Sequence, residues 1–185
     1  MYEMVNSAIM DLLVANYGEE TWQKVKSKAG VEDEMFISTE SHPDEVTYKL
    51  VGAASEVLIR PAGEILNQFG RWWVLDTARN NYGHLLRFGG RTLGEFLINL
   101  PNFHTRVVMI FPKLQPPTFE CTDVQPTELR LHYRSHRRGL SPFVIGLLEG
   151  LGEMFEVLVM ITHEERLDEG ADHDVFHIAW NEAKT

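Results

Sequence analysis

Leu129-Arg130-Leu131-His132-Tyr133-Arg134-Ser135-His136-Arg137-Arg138 alternates with period two, the pattern of a strand whose successive side chains point to opposite faces. One face would carry Leu129, Leu131, Tyr133, Ser135 and Arg137, and the other Arg130, His132, Arg134, His136 and Arg138. The first face passes from apolar groups through hydroxyls to a guanidinium. Such a gradient suits a ligand with an apolar body and an anionic rim, because a phenol, a hydroxyl and a planar five-donor fork together satisfy carboxylates. A basic strand face is also ordinary solvated surface, and a tyrosine at a core edge also simply packs, so the stretch alone leaves both readings open. Nucleic acid is disfavoured: the chain has a formal net charge of −10, and four arginines in one hairpin do not make it basic.

Working outward, the chain before this strand reads as helices. Residues 2–17 put Val5, Ala8, Ile9, Leu12 and Leu13 on one stripe at helical spacing. Residues 19–29 repeat the pattern around Trp22 and Val25, with Gly30 as the expected C-terminal cap. Residues 44–58 follow an acidic first turn with Tyr48, Leu50, Val51, Ala54 and Val57. Pro61 opens a helix running to about Arg79, and a short helix is expected over 82–88, ending at Gly89-Gly90. Thr92 with Glu95 three residues on is a capping box for a helix to about Phe111. Pro112, Pro116 and Pro117 then break the pattern. Strands are predicted at 118–124, 128–137, 157–165 and 174–180, with an apolar helix from Ser141-Pro142 to about Phe155 between the second and third. Helices first and antiparallel strands later is an α+β arrangement: a mostly helical part, about 1–111, packed on a four-stranded antiparallel sheet within about 117–182.

The 185 residues suffice for one domain with a substantial core. Cys121 is the sole cysteine, which excludes an internal disulfide framework and fits a reducing compartment such as the cytoplasm. The opening Met1-Tyr2-Glu3-Met4-Val5-Asn6 has no basic region leading into an apolar run, so no signal peptide is expected, nor any membrane span. Nine acids against the single base Arg166 lie between Glu149 and Asp174, a solvated surface more than a docking face.

One histidine stands apart. In the helix expected over 92–111, Leu93, Phe96, Leu97, Leu100, Val107, Val108 and Phe111 form the apolar stripe, and His104 falls on it. A histidine facing an apolar interior needs partners for its ring nitrogens. A bond to a backbone carbonyl would suffice, and a proximal ligand of heme iron would look the same. No His-Glu-x-x-His, paired-cysteine spacing, Gly-x-Ser-x-Gly or phosphate-cradling glycine loop accompanies it, so no catalytic constellation is evident.

Taken together these residues resemble the heme–nitric oxide/oxygen-binding (H-NOX) family, the sensor domain also found in the beta subunit of soluble guanylate cyclase. The resemblance runs along nearly the whole chain. It includes Met1-Tyr2-x-x-Val5-Asn6, Val46-Thr47-Tyr48-x-Leu50-Val51-Gly52-Ala53-Ala54-Ser55, and Gly63-Glu64-Ile65-Leu66 with Phe69-Gly70. It continues through Phe96-Leu97-x-Asn99-Leu100 before His104, Pro116-Pro117-x-Phe119-x-Cys121, and Leu131-His132-Tyr133-x-Ser135-x-Arg137. The resemblance implies a single domain over 1–185 that holds ferrous heme b (protoporphyrin IX) between helices and sheet, with His104 ligating the iron. It implies that Tyr133, Ser135 and Arg137 bind the propionates and that Pro117 presses on the porphyrin. Val5, Ile9, Trp73, Leu100, Phe143 and Leu147 would line the rest of the pocket.

The implied function is a non-catalytic gas sensor that binds nitric oxide and carbon monoxide. Relatives that hold dioxygen place a tyrosine in the helix after the Tyr-x-Ser-x-Arg strand; here Ser141-Pro142-Phe143-Val144-Ile145-Gly146-Leu147 has none, and the first helix offers Ile9. A hydrogen bond to bound dioxygen is worth roughly 1–3 kcal/mol, one to two powers of ten in affinity. An apolar distal wall therefore disfavours dioxygen, although Trp73 could bring an indole donor. The signal, set off by release of His104, would pass to a separate protein such as a histidine kinase or a cyclic-dinucleotide enzyme. The rival readings are a dioxygen-binding heme carrier or oxidase and a heme-free adaptor.

Overall fold

The computed structural model describes residues 3–31, 43–80, 83, 86, 88–112 and 114–181. It divides into two compact units, Met1–Phe69 and Gly70–Thr185.

The first unit is helical. Helices α1 (Glu3–Tyr17), α2 (Glu19–Ala29) and α3 (Asp44–Leu58) pack on one another. The expected α1 stripe is buried at Ala8, Ile9, Leu12 and Leu13, with Val5 half-buried at its end. Gly30 ends α2 at φ 65, where its lack of a Cβ removes the left-handed penalty. On α3 the buried set is Thr47, Leu50, Val51, Ala53 and Ala54. Tyr48, expected inside, is turned out, and Thr47 takes the interior place because its hydroxyl donates to Asn6 Oδ1 at 2.7 Å. A fully buried asparagine thus dictates which α3 residue faces in.

Helix α4 (Ala62–Trp72) begins one residue later than expected. The Pro61 carbonyl accepts from the Glu64 and Ile65 amides, so Pro61 precedes the first turn rather than opening it. Beyond Trp72 the chain widens into a π-helical segment, Trp73–Ala78, a deviation no periodicity announces. The helix expected over 82–88 lies partly outside the described residues; Gly83 and Leu86 are helical.

The rest of the second unit is a core wrapped by helices α5 (Leu93–Ile98), α6 (Leu100–Ile110) and α7 (Ser141–Met154) and strands β1 (Thr118–Gln125), β2 (Glu128–Arg134), β3 (Val159–Glu165) and β4 (Asp174–Trp180). The strands form one antiparallel sheet in the order β1-β2-β4-β3. The fold is therefore α+β, as the pattern predicts, with the helices of both units outweighing a four-stranded sheet. The buried face carries Phe119, Leu129, Leu131, Tyr133, Phe176 and Ile178. No helix among the described residues is long and apolar enough to cross a membrane.

Two expectations fail locally. The single helix over 92–111 is broken at Asn99 into α5 and α6. Pro101 is the cause: it has no N–H for the Leu97 carbonyl four residues back, and its ring crowds that carbonyl. The Leu97 carbonyl instead accepts from Cys121 Sγ on β1 at 3.4 Å. The expected cap survives, since Thr92 Oγ1 accepts from the Glu95 amide at 3.2 Å while Glu95 accepts from the Arg91 amide. The strand expected over 128–137 stops at Arg134. There Ser135 Oγ accepts from the Arg137 amide at 3.0 Å, a side-chain turn that replaces the ladder.

Candidate functional site

His104 lies on the second turn of α6, and its surroundings follow from the broken helix. Its Nδ1 is 3.0 Å from the Leu100 carbonyl. The ring stacks on Phe119 of β1 at 5.4 Å between centroids, 23° off parallel, and Phe103 meets it edge-on at 5.7 Å. Phe119 in turn packs on Tyr133 of β2 at 5.4 Å. A ladder of rings thus joins the candidate iron ligand to the first residue of the expected propionate set. Asn99 holds the break that aims α6, donating to the Phe88 and Gly89 carbonyls at 3.3 and 3.0 Å.

The chemistry of His104 suits a heme iron. Burial holds its imidazole below the ordinary histidine pKa, and the Leu100 bond only partly offsets this, so the ring is neutral. With Nδ1–H donated to Leu100, the lone pair is on Nε2. Nε2 has no hydrogen-bond partner among the described residues. A neutral imidazole fixed by a backbone carbonyl through its far nitrogen is the donor that metal sites use. No group of three or more His, Cys, Asp or Glu among the described residues is placed to hold a bare metal ion.

On the anion side, Tyr133 is 5% exposed on the core face of β2. Ser135 and Arg137 follow it in the loop rather than on the strand, so the turn between them, not the pleat, sets their directions. Arg137 Nη1 donates to the Gln115 carbonyl at 2.8 Å, which ties this loop to the segment containing half-buried Pro117. Arg134, by contrast, faces away and pairs with Glu120 at 3.4 Å. The three anion-binding candidates thus alternate along one short stretch of chain, but on two kinds of backbone.

Of the expected pocket residues, Leu100 is in the core of the second unit, and Trp73 and Leu147 pack against it. Trp73 lies on the π-helical segment, and half-buried Phe143 and Leu147 on α7. Just before the π-helical segment, the end of α4 meets α7 backbone to backbone at Gly70. A Cβ there would strike the Phe143 carbonyl and lie 2.7 Å from the Leu147 nitrogen. Gly150 repeats the close approach against Val74 and Arg71. Val5 and Ile9 belong to α1 of the first unit, half-buried and fully buried respectively.

Sequence reasoning overlooked Phe103 and Phe119 as supports of His104, and Cys121 as the donor to the Leu97 carbonyl at the helix break. Phe119 and Cys121 share the parity of the core face of β1, and Pro101 is visible in the sequence, so the break and its mate were legible signals.

Comparison with known proteins agrees with this geometry. The chain is 34% identical over 179 residues to soluble guanylate cyclase gcy-31 of Caenorhabditis elegans, covering 96% of this chain and 25% of that protein. It thus spans about a quarter of the length of such relatives. Its fold is similar to the H-NOX protein of S. oneidensis in the Fe(II)NO ligation state, with a TM-score of 0.87 at 20% identity, covering 98% of this chain and 99% of that one. It is equally similar to the Fe(II) unliganded H-NOX protein of K. algicida, with a TM-score of 0.87 at 21% identity and coverage of 100% and 99%. The Haem-NO-binding family profile matches residues 2–163, most of the chain that carries His104 and the Tyr133-x-Ser135-x-Arg137 turn, and the chain belongs to that family.

Proposed function

We propose that residues 1–185 form one gas-sensing domain that holds ferrous heme b through His104 and binds nitric oxide and carbon monoxide in preference to dioxygen. The observation that carries this reading is the fixed, neutral imidazole of His104, with its ring ladder through Phe119 to Tyr133. Bound heme would supply an iron able to take up a diatomic gas. Tyr133, Ser135 and Arg137 would hold the propionates by a phenol, a hydroxyl and a guanidinium, and Pro117 would press on the porphyrin. Leu100, Trp73, Phe143 and Leu147 would exclude water.

Ligand choice rests on what these side chains lack. Phe143, Val144, Ile145 and Leu147 offer no hydroxyl to the partial negative charge of bound dioxygen. Nitric oxide needs such a donor far less. His104 would also be the route outward: its ring is bonded to the backbone of α6, so a change at an iron it holds would be felt by that helix at Leu100. The output would pass to a signalling partner: a cyclase, as in the curated relatives, or a histidine kinase or cyclic-dinucleotide enzyme, in the cytoplasm. The domain itself performs no reaction.

The rival reading, a dioxygen-binding heme protein or oxidase, draws on Trp72. Its buried indole N–H has no partner among the described residues and lies beside Trp73 in the chain. Absorbance of the ferrous protein separates the readings. A spectrum unchanged by air but shifted by nitric oxide and carbon monoxide supports the sensor. A stable oxy form, or rapid oxidation with turnover, overturns it.

A further inference from the structure

The outer face of the sheet, opposite the His104 ladder, carries a chain of polar groups that the heme reading does not use. Thr122 Oγ1 on β1 is 2.9 Å from His132 Nε2 on β2. His132 Nδ1 is 2.8 Å from Nε2 of His173, which lies just before β4 and is itself buried. His173 Nδ1 contacts the Asp172 carboxylate.

The carboxylate end fixes the direction of every bond. An ionised carboxylate only accepts, so His173 donates from Nδ1 and its Nε2 carries a lone pair. His132 must then donate from Nδ1, and its Nε2 accepts the Thr122 hydroxyl. Both neutral rings are therefore Nδ1–H tautomers. One added proton can be absorbed with every contact kept: His173 becomes the cation and donates from Nε2, while His132 reverses, accepting at Nδ1 and donating from Nε2 to Thr122. A second proton cannot be absorbed, because two N–H donors would face each other across the 2.8 Å gap.

We propose that Thr122, His132, His173 and Asp172 form a proton-operated clasp on the end of β2: the first proton reverses its hydrogen bonds and the second opens it. The neighbouring charges do not supply other partners. On the same face, Arg130 pairs with Asp123 and Glu164, Arg134 with Glu120, and His177 with Glu128. Glu120 and Val175 are the residues directly opposite His132 on the flanking strands. The placement gives the clasp a consequence. His132 immediately precedes Tyr133, and the pairs His132–Val175 and Tyr133–Asp174 close this end of the β2–β4 ladder. Opening the clasp would loosen the strand end that leads into Ser135 and Arg137. This consequence alone rests on the heme reading; the clasp does not.

Long-range proton–nitrogen imidazole spectra of the full chain, kept under carbon monoxide and titrated from pH 8 to 5, test the clasp directly. Expected at pH 8 are Nδ1–H tautomers for both rings and a nitrogen–nitrogen coupling across the His132–His173 bond. The first step should swap the two nitrogens of His132 without charging it, and the coupling should vanish only when both rings are cationic. An Nε2–H tautomer of His132 at pH 8, or direct charging of His132 with no swap, overturns the clasp. Asp172→Asn, a surface change that should leave the fold intact, supplies a second arm. It should move the first step to lower pH, because the carboxylate that favours the His173 cation has been removed. An unchanged first step in that variant also overturns the proposal.

Discussion

His104 donates its Nδ1–H to the carbonyl of Leu100, one turn earlier on the same helix, at 3.0 Å. A single bond thereby sets the tautomer, the ring orientation and the coupling of the ring to α6. The carbonyl belongs to the first residue after the Asn99 break, so the proline that interrupts the helix also places the acceptor.

Burial lowers the pKa of His104 in the folded chain relative to the unfolded one. The unfolded state therefore binds more protons as pH falls, and His104 costs stability below its ordinary value of 6.5. His104→Leu, compared with wild type without heme, should lose less stability between pH 7.5 and 5.5. Urea midpoints at the two pH values check this, and parallel losses in both proteins would contradict it.

Arg137→Ala should speed heme loss to an apo-globin trap, whereas Arg134→Ala should leave it close to wild type. Arg134 is already paired with Glu120 on the outer face, and Arg137 is anchored to the Gln115 carbonyl beside Pro117. A charge-assisted bond to a propionate is worth on the order of 1.5–3 kcal/mol. Equal rates for the two variants would contradict the assignment.

Gly70→Ala should destabilise the chain by about 1–3 kcal/mol, because the added methyl meets the backbone of α7 rather than a yielding side chain. Gly52→Ala, in the middle of α3 with nothing within 4 Å of its Cβ position, should instead stabilise by about 0.5–1 kcal/mol. Denaturant midpoints of the two variants should fall on opposite sides of wild type.

Phe143→Tyr should raise dioxygen affinity at the ferrous heme and change nitric oxide affinity little. The new hydroxyl supplies a donor worth about 1–2 kcal/mol to bound dioxygen. Oxygen titration is the readout, with Val144→Tyr as the one-residue shift along α7. If both leave oxygen binding unmeasurable, distal polarity does not set ligand choice.

Much of this was legible because the relevant signals are local. The α1 stripe, the Gly30 cap, the Thr92–Glu95 cap and the alternation of Leu129, Leu131 and Tyr133 each depend on nearest neighbours, and each holds. What was not legible depends on contacts distant in sequence. Thr47 displaces Tyr48 from the interior because of Asn6, 41 positions away. The π-helical segment follows Gly70, where α4 runs against α7. The end of β2 was misplaced by a different route: period two continues in the letters past Arg134, but Ser135 offers the backbone a competing bond. His104 itself was found by its stripe, while its supports Phe103 and Phe119 emerge only when α6 and β1 are brought together.

The central claim, that His104 holds the heme iron, is tested most directly by resonance Raman spectroscopy of the ferrous protein and of His104→Gly with and without added imidazole. The account predicts a low-frequency iron–histidine band in wild type, its loss in the variant, and a band restored at the position of free imidazole when imidazole is supplied. An unchanged band and unchanged heme content in His104→Gly would contradict it.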